Sequence, residues 1–356
     1  MAERKLWKGN EAVAAAAIKA GCNFYAGYPI TPQNELMELL SWTLPQNGGV
    51  FVQAESEPAA INMIKGASVA GARAMTATSA PGLALMQEGL GSMTVGRVPM
   101  VLVDMQRAFD FVTPAQYDYH TATKSLGHSG LRVPVYSAST VQEMMDVTML
   151  AFQKADQYRT PVYLLFDGML GQMIEHAALP DAAPQLADRS DWIVGNNAGR
   201  TPRFIVDTPA GMIKGTAGFD ANEEKLRKLD ELFKSWEDTE VRYSEYLMED
   251  AEYAVVSYGS SARFAKDAVD ALRDEGYKVG LFKAISLNPF PRKQLHGLKE
   301  RGIKGVVTAE MAIPLQFCDD VKAAIDGQIS VLGYSRAGGN TVKVSGIVEH
   351  VKRLLG

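Results

Sequence analysis

Short apolar runs alternate along most of the chain with stretches in which apolar positions recur every three or four residues. The runs have the pattern of strands buried on both faces, and the periodic stretches that of helices with one packed stripe. The order predicted is helix 11–20, strand 23–28, helix 32–42, strand 50–53, a helix opening at Pro58, strand 74–78, a helix opening at Gly82 and strand 100–105. After a polar stretch come helix 141–155 and strand 162–166. Strands separated by helices pair in parallel, so the fold class is α/β, with parallel sheets covered by helices on both faces. The tail repeats the pattern as a smaller unit, with strands 253–257, 279–282, 305–308 and 329–332 and a last helix 342–355. Residues 178–248 lose the alternation: PDAAPQLADRSD reads as loop, and EEKLRKLDELFKSWEDTEVRYSEYL as a charged helix laid, solvated, across the two units. The expected domains are 1–177 and 249–356, joined by a linker at 178–248.

The stretch NFYAGYPITPQNELMELL shows where a site could lie. Pro29 and Pro32 stop the strand, Thr31 is placed as an N-cap with Pro32 at the first helical position, and Leu36, Leu39 and Leu40 form the packed stripe. In open α/β sheets ligands bind beyond the carboxyl ends of strands, where backbone donors stay free. An ordinary strand-to-helix turn accounts for the same residues. A second such turn carries Glu55 and Glu57 before Pro58, which places Glu57 beside the helix's positive end; an acidic cap without a ligand explains it equally, and spacing does not choose between the two glutamates. Arg107 follows a buried strand, where a surface ion pair is the plain reading. His120 and His128 are candidates for a pocket rim, with no spacing that supports a metal.

Bulk properties narrow the class. A chain of 356 residues can bury two cores, and 47% apolar with 22% charged residues is ordinary for a globular protein. A net charge of −5 argues against nucleic acid as a partner. Cys22 and Cys318 lie far apart without ligand spacing, so the expectation is no resident metal, no iron–sulfur cluster held unaided and no disulfide scaffold. MAERKLWKG lacks the apolar core of a signal peptide, and no apolar run is long enough to span a bilayer. A soluble, cytoplasmic protein without a membrane segment is expected.

Several stretches, in order and over nearly the whole chain, resemble the thiamine-dependent 2-oxoacid:ferredoxin oxidoreductases. They are GNEAVAAAAIKAG, GYPITPQNE, ESEPAAINMIKGASVAGARAMTATSAPGLALMQE, VDMQR, PAQYDY with HTATKSLGHSG, RTPVYLLFDGMLGQM, VRYSEYLMEDAEYAVVSYGSSAR, LNPFP and GYSRAGGN. The resemblance is to the alpha-type subunit, which carries a pyrimidine-binding domain and a transketolase C-terminal-like domain, and it is strongest to the branched-chain (2-oxoisovalerate) type. It implies a two-domain α/β subunit that takes part in CoA-dependent oxidative decarboxylation of a 2-oxoacid to acyl-CoA and CO2, with reduction of ferredoxin. By the family pattern Glu57 is the carboxylate that hydrogen-bonds the aminopyrimidine ring of thiamine diphosphate, and Tyr28, Pro29 and Ile30 adjoin the cofactor. Thr31 and Arg107 meet the substrate, the latter as a two-donor fork for its carboxylate. Phe109, Asp110 and Phe111 fall in the substrate pocket. The chain lacks a GDG…N diphosphate–metal motif and any Cys-x-x-Cys. The resemblance therefore implies a beta subunit for Mg²⁺ and the diphosphate, gamma and ferredoxin-like subunits with [4Fe–4S] clusters, coenzyme A as co-substrate and ferredoxin as electron acceptor.

One stretch departs from the branched-chain type. Where those relatives carry glycines, this chain has Ala108-Phe109-Asp110-Phe111-Val112-Thr113. Glycines permit close approach and unusual dihedrals, so two aromatics and an acid reshape the loop. The two phenylalanines either narrow the pocket, favouring small acyl groups, or stack on an aromatic one, the narrowed pocket being preferred because bulk more often fills space; where Asp110 faces the pocket it disfavours dianions, and the identity of the 2-oxoacid stays open. The alternative function is a subunit of a non-oxidative thiamine-dependent 2-oxoacid decarboxylase. An assembly or regulatory paralogue, the non-enzymatic reading, is disfavoured by the presence of Thr31, Glu57 and Arg107 together.

Overall fold

The computed structural model describes residues 3–108, 111–126, 130–194 and 217–355. Its larger sheet has seven strands, in the order Ser286–Asn288, Val135–Tyr136, Pro161–Asp167, Met100–Gln106, Ala74–Thr78, Phe24–Gly27 and Val50–Gln53. All neighbours pair in parallel except the first two. The three central strands, Ala74–Thr78, Met100–Gln106 and Pro161–Asp167, are buried at every position, as their unbroken apolar runs require of a sheet covered on both faces.

The smaller sheet orders its five strands Ser330–Ser335, Gly305–Glu310, Tyr253–Ser257, Val279–Ala284 and Tyr243–Tyr246, the last antiparallel. A further antiparallel pair joins Lys5–Lys8 to Ile174–Ala177. One apolar core, with Leu102, Tyr163, Val256, Phe282 and Phe317, runs from one face of the large sheet into the second domain. Another, with Leu40, Val103, Phe152 and Leu164, covers the opposite face. A core shared between the two sheets fixes their relative placement better than a polar domain contact does.

Local signals set several boundaries. Helix Glu57–Val69 opens on Ser56, whose hydroxyl accepts from Ala59 N at 3.3 Å, and Pro58 in the first turn has no N–H to leave unmet. Helix Val141–Tyr158 opens on Thr140, which accepts from Glu143 N at 3.1 Å. Two expectations are corrected. Thr31 is not a helix cap: the Thr31–Pro32 peptide is cis, Gln33 N donates to Ile30 O at 3.2 Å in a tight turn, and the helix runs Asn34–Gln46 with Gln33 before it. The charged helix, Ala217–Thr239, is not solvated throughout. Leu229 and Trp236 are buried, Trp236 lies 5.6 Å from the Tyr158 ring, and the chain continues into the edge strand Tyr243–Tyr246. No helix among the described residues is long and apolar enough to cross a membrane.

Candidate active site

Four parallel strands of the large sheet deliver the candidate residues to one edge. Thr31 follows Phe24–Gly27, Glu57 follows Val50–Gln53, Thr78 ends Ala74–Thr78 and Arg107 follows Met100–Gln106. This is the carboxyl edge, where loops leave open the crevice that ligands occupy.

Arg107 and Thr31 meet directly, Arg107 Nη1 donating to the Thr31 carbonyl at 3.1 Å. Arg107 Nε is buried without a partner. The Arg107 backbone bridges to Pro114, and Ala108 N donates to Thr113 O at 3.1 Å, closing the intervening loop at its base. Both residues line a cavity of about 420 Å³ with Pro32, Val112, Pro114 and Met169 among its apolar walls. Glu35 and Gln172 add its polar side, and they are bound to each other: Glu35 takes Lys8 Nζ at 2.7 Å, Asn10 Nδ2 at 2.7 Å and Gln172 Nε2 at 2.9 Å. Burial opposes the charge on Glu35, but the Lys8 ammonium and these donors outweigh it and hold its carboxyl below the ordinary range. The network also fixes the turn, because Asn10 Nδ2 donates to Pro32 O at 2.7 Å.

Glu57 lies on the flank formed by Thr78 and Gly82. Its side chain is buried, 6% exposed, and makes no hydrogen bond or ion pair with the described residues, whereas Glu55 is exposed. A Cβ built at Gly82 would overlap Thr78 Oγ1 and stand 2.6 Å from Glu57 Oε1, so only glycine lets helix Ala80–Gly96 approach this closely. The result is a carboxylate packed against a glycine backbone with no protein group to satisfy it.

The remaining candidates separate from these. Tyr28 and Pro29 are exposed, Ile30 is half-buried, and none of the three lines the cavity. Phe111 points to solvent at 70% exposure, and its neighbour Val112 forms the wall instead. Phe109, Asp110 and His128 lie outside the described residues. His120 is off the cavity, its backbone N–H bound to Gln316 Oε1 at 2.9 Å. Among the described residues no group of three or more His, Cys, Asp or Glu could hold a metal.

Behind Arg107 the second domain is latched on. Gln116 Oε1 accepts from Ser261 Oγ at 2.8 Å and Met311 N at 2.9 Å, and Gln116 Nε2 donates to Tyr258 O at 3.2 Å. Asp167 Oδ2 accepts from Ser260 N at 2.9 Å. Gly259 (φ +60°) makes the turn at which both converge, and a Cβ there would come within 2.5 Å of Gln116 Nε2. Asp167-Gly168, which in sequence only ends a strand, is thus a clasp between domains.

Next to this latch lie two carboxyls, Asp104 and Asp118. Both oxygens of Asp104 and Oδ2 of Asp118 are buried, and no other side chain or backbone group donates to them. Burial first, and then the charge of the facing Asp118 and the hydrogen bond shared with it, raise Asp104 well above the carboxylate range. Asp118 is itself pushed up to about 7 by burial, against the hydrogen bond from Asp104 and the nearby Arg107 charge. An unfolded aspartate titrates near about 3.9. Between that value and about 7 the folded chain keeps a proton on Asp118 that the unfolded chain has released, so Asp118 makes stability fall as pH rises through that window, and its own contribution levels off above it. Asp118→Asn removes the titration. The melting temperature of the variant relative to the parent is expected to rise between about pH 5 and about pH 8; parallel curves would show that Asp118 titrates as an exposed acid.

The fold and this strand-edge site define an enzyme subunit of the thiamine-diphosphate-binding class: residues 15–231 match the pyruvate flavodoxin/ferredoxin oxidoreductase thiamine-diphosphate-binding domain, and residues 251–347 match pyruvate:ferredoxin oxidoreductase core domain II. The chain is 41% identical over 352 residues, 98% of it and 97% of the relative, to ketoisovalerate oxidoreductase subunit VorB of Methanothermobacter marburgensis. It is 38% identical over 298 residues, 81% of it and 83% of the relative, to 2-oxoglutarate synthase subunit KorA of Archaeoglobus fulgidus. The 2-oxoglutarate:ferredoxin oxidoreductase from Magnetococcus marinus, solved with 2-oxoglutarate, coenzyme A and succinyl-CoA bound, superposes with a TM-score of 0.87 at 25% identity, over 100% of this chain and 66% of that one. The chain belongs to the 2-oxoacid:ferredoxin oxidoreductase family. The resemblance carried by GYPITPQNE, VDMQR and the other stretches is borne out, as is the α/β architecture with parallel sheets.

Proposed function

We propose that the chain supplies the pyrimidine-binding half of an active site that converts a 2-oxoacid and coenzyme A to acyl-CoA and CO2 and passes the electrons to ferredoxin. The observation that carries this reading is Glu57, a buried side chain whose carboxylate has no protein partner and lies against the backbone of Gly82. A buried charge left unpaired is costly, so such a residue belongs where a ligand completes its bonding. The unpartnered carboxylate therefore suits the aminopyrimidine ring of thiamine diphosphate, which when bound would supply an acidic thiazolium C2 that adds to the oxo carbon and takes up the electrons of decarboxylation. Glu57 holds the proton shared with the ring, in a site where little water competes for it. Thr31 and Arg107 hold the 2-oxoacid, with the Arg107 nitrogens not used on the Thr31 carbonyl as donors to its carboxylate.

The apolar walls at Val112, Pro114 and Met169 suit an uncharged acyl chain, and a branched-chain acid such as 2-oxoisovalerate is the substrate proposed. A partner subunit contributes Mg²⁺ and the diphosphate contacts, and further subunits the [4Fe–4S] clusters. The test is to titrate thiamine diphosphate and Mg²⁺ into the chain alone and into the complex purified with its partners, and to assay the complex with 2-oxoacid, coenzyme A and ferredoxin. Tight binding and CoA-dependent ferredoxin reduction are expected of the complex only. Sub-micromolar binding by the lone chain, on the order of −8 kcal/mol or better, overturns the shared site; aldehyde formation without ferredoxin reduction establishes the decarboxylase instead.

A further inference from the structure

Thr78 is a completely buried threonine at the carboxyl end of a central strand, and its Oγ1 has no hydrogen-bond partner. A hydroxyl offers one donor and two acceptor positions, and burying it with all of them unused costs free energy unless a partner arrives. The fold brings two carboxyls towards it. Across the parallel pair Thr78 is in register with Asp104, whose oxygens likewise find no donor. On the other side, Thr78 Oγ1 and Glu57 Oε1 border the same point, the place a Gly82 Cβ would fill. Gly82 itself is held in the first turn of its helix by Gly82 N donating to Ser79 O at 2.8 Å. Two groups of complementary chemistry, an unpartnered hydroxyl and an unpartnered carboxylate, thus stand against the same point of the Gly82 backbone.

We propose that Thr78 is a positioning residue for Glu57: its hydroxyl donates to Glu57 Oε1 and fixes which carboxylate oxygen is presented to the ligand. In the chain alone the bond is open. Rotation of the hydroxyl and of the carboxylate closes it, since no other group holds either one. With one oxygen tied to Thr78, the other is left for the aminopyrimidine, and the carboxylate cannot swing away between turnovers. The inference rests on the reading of Glu57 as the thiamine carboxylate.

The test compares Thr78→Val, which keeps the shape and loses the hydroxyl, with Thr78→Ser, which keeps the hydroxyl. Replacing an unpartnered buried hydroxyl by a methyl is neutral or stabilising, so melting of the valine variant at or above the parent temperature is expected. In the assembled complex with cofactor, Thr78→Val is expected to slow exchange of the C2 proton by about ten- to a hundredfold, the value of one hydrogen bond to a charged group. KM for the 2-oxoacid should stay within about twofold, and Thr78→Ser should restore exchange to within about threefold of the parent. Independently of activity, the ¹³C carboxyl resonance of Glu57 in the assembled complex with cofactor, with this chain labelled and the signal identified by its loss in Glu57→Gln, should move in Thr78→Val and not in Thr78→Ser. Parental exchange in Thr78→Val, or equal damage in serine and valine variants, overturns the proposal. The two readings fail differently. If Glu57→Gln leaves exchange intact, the thiamine assignment falls and Thr78 with it; if Glu57→Gln slows exchange and Thr78→Val does not, Thr78 alone is wrong.

Discussion

Glu57→Gln is expected to leave the complex assembled while slowing exchange of the thiazolium C2 proton by about a hundredfold or more, the scale on which positioned acid–base groups act. Assembly should survive because the side chain supports nothing: it makes no hydrogen bond or ion pair with the described residues, and glutamine occupies nearly the same volume. The chemistry should not survive, because an amide cannot hold the proton that a carboxylate shares with the ring. Proton exchange followed by NMR separates this step from later ones. Glu55→Gln is the control. Glu55 stands two residues earlier, is exposed, and should exchange at the parental rate. If Glu55→Gln does the damage and Glu57→Gln does not, the wrong carboxylate has been assigned.

That pair of glutamates shows what the sequence could and could not carry. Both precede Pro58 at a strand-to-helix turn, and no periodicity distinguishes them, because a turn has none. The family pattern selects Glu57; burial gives a physical reason for it, in that Ser56 opens the helix and turns its neighbour inward. Elsewhere the legible parts were those with a period. Strands Val50–Gln53, Ala74–Thr78 and Tyr253–Ser257 fall where the apolar runs place them, since each run is bounded by turn residues or by a change of period.

Edge strands escaped notice for the opposite reason. Tyr243–Tyr246 alternates exposed and half-buried positions in a segment that reads as charged helix, and Ser286–Asn288 is too short to show any period. The cap assigned to Thr31 failed because the turn after the strand takes two more residues than a proline-opened helix needs. Thr78, Gly82, Glu35 and Met169 were invisible as site residues. Each matters only through a neighbour on another strand or helix, and side-chain convergence across a sheet leaves no mark at fixed spacing along the chain.

Arg107→Lys is expected to raise KM for every 2-oxoacid by about tenfold or more while leaving the order of preference among them unchanged. The charge survives, but the planar fork does not. Arg107 uses one terminal nitrogen on the Thr31 carbonyl, and the remaining nitrogens can still meet two carboxylate oxygens at once. An ammonium in the same place must choose between the Thr31 carbonyl and the substrate. Since the carboxylate is common to all 2-oxoacids, the penalty should be uniform.

The cavity wall should behave in the opposite way. Val112 and Met169 line the cavity shared with Thr31 and Arg107, proposed to hold the acyl group, so Val112→Gly and Met169→Ala should change the ranking of straight, branched and aromatic 2-oxoacids, by about tenfold per methylene-sized step. Phe111 makes the contrast informative. Sequence placed it in the pocket as a bulky replacement for glycine, yet it is exposed and off the cavity, so Phe111→Gly should leave the ranking unmoved in steady-state assays across the same series. A ranking that shifts with Phe111 and stays fixed with Val112 and Met169 would move the substrate's acyl group out of this cavity and onto the outer face of the loop.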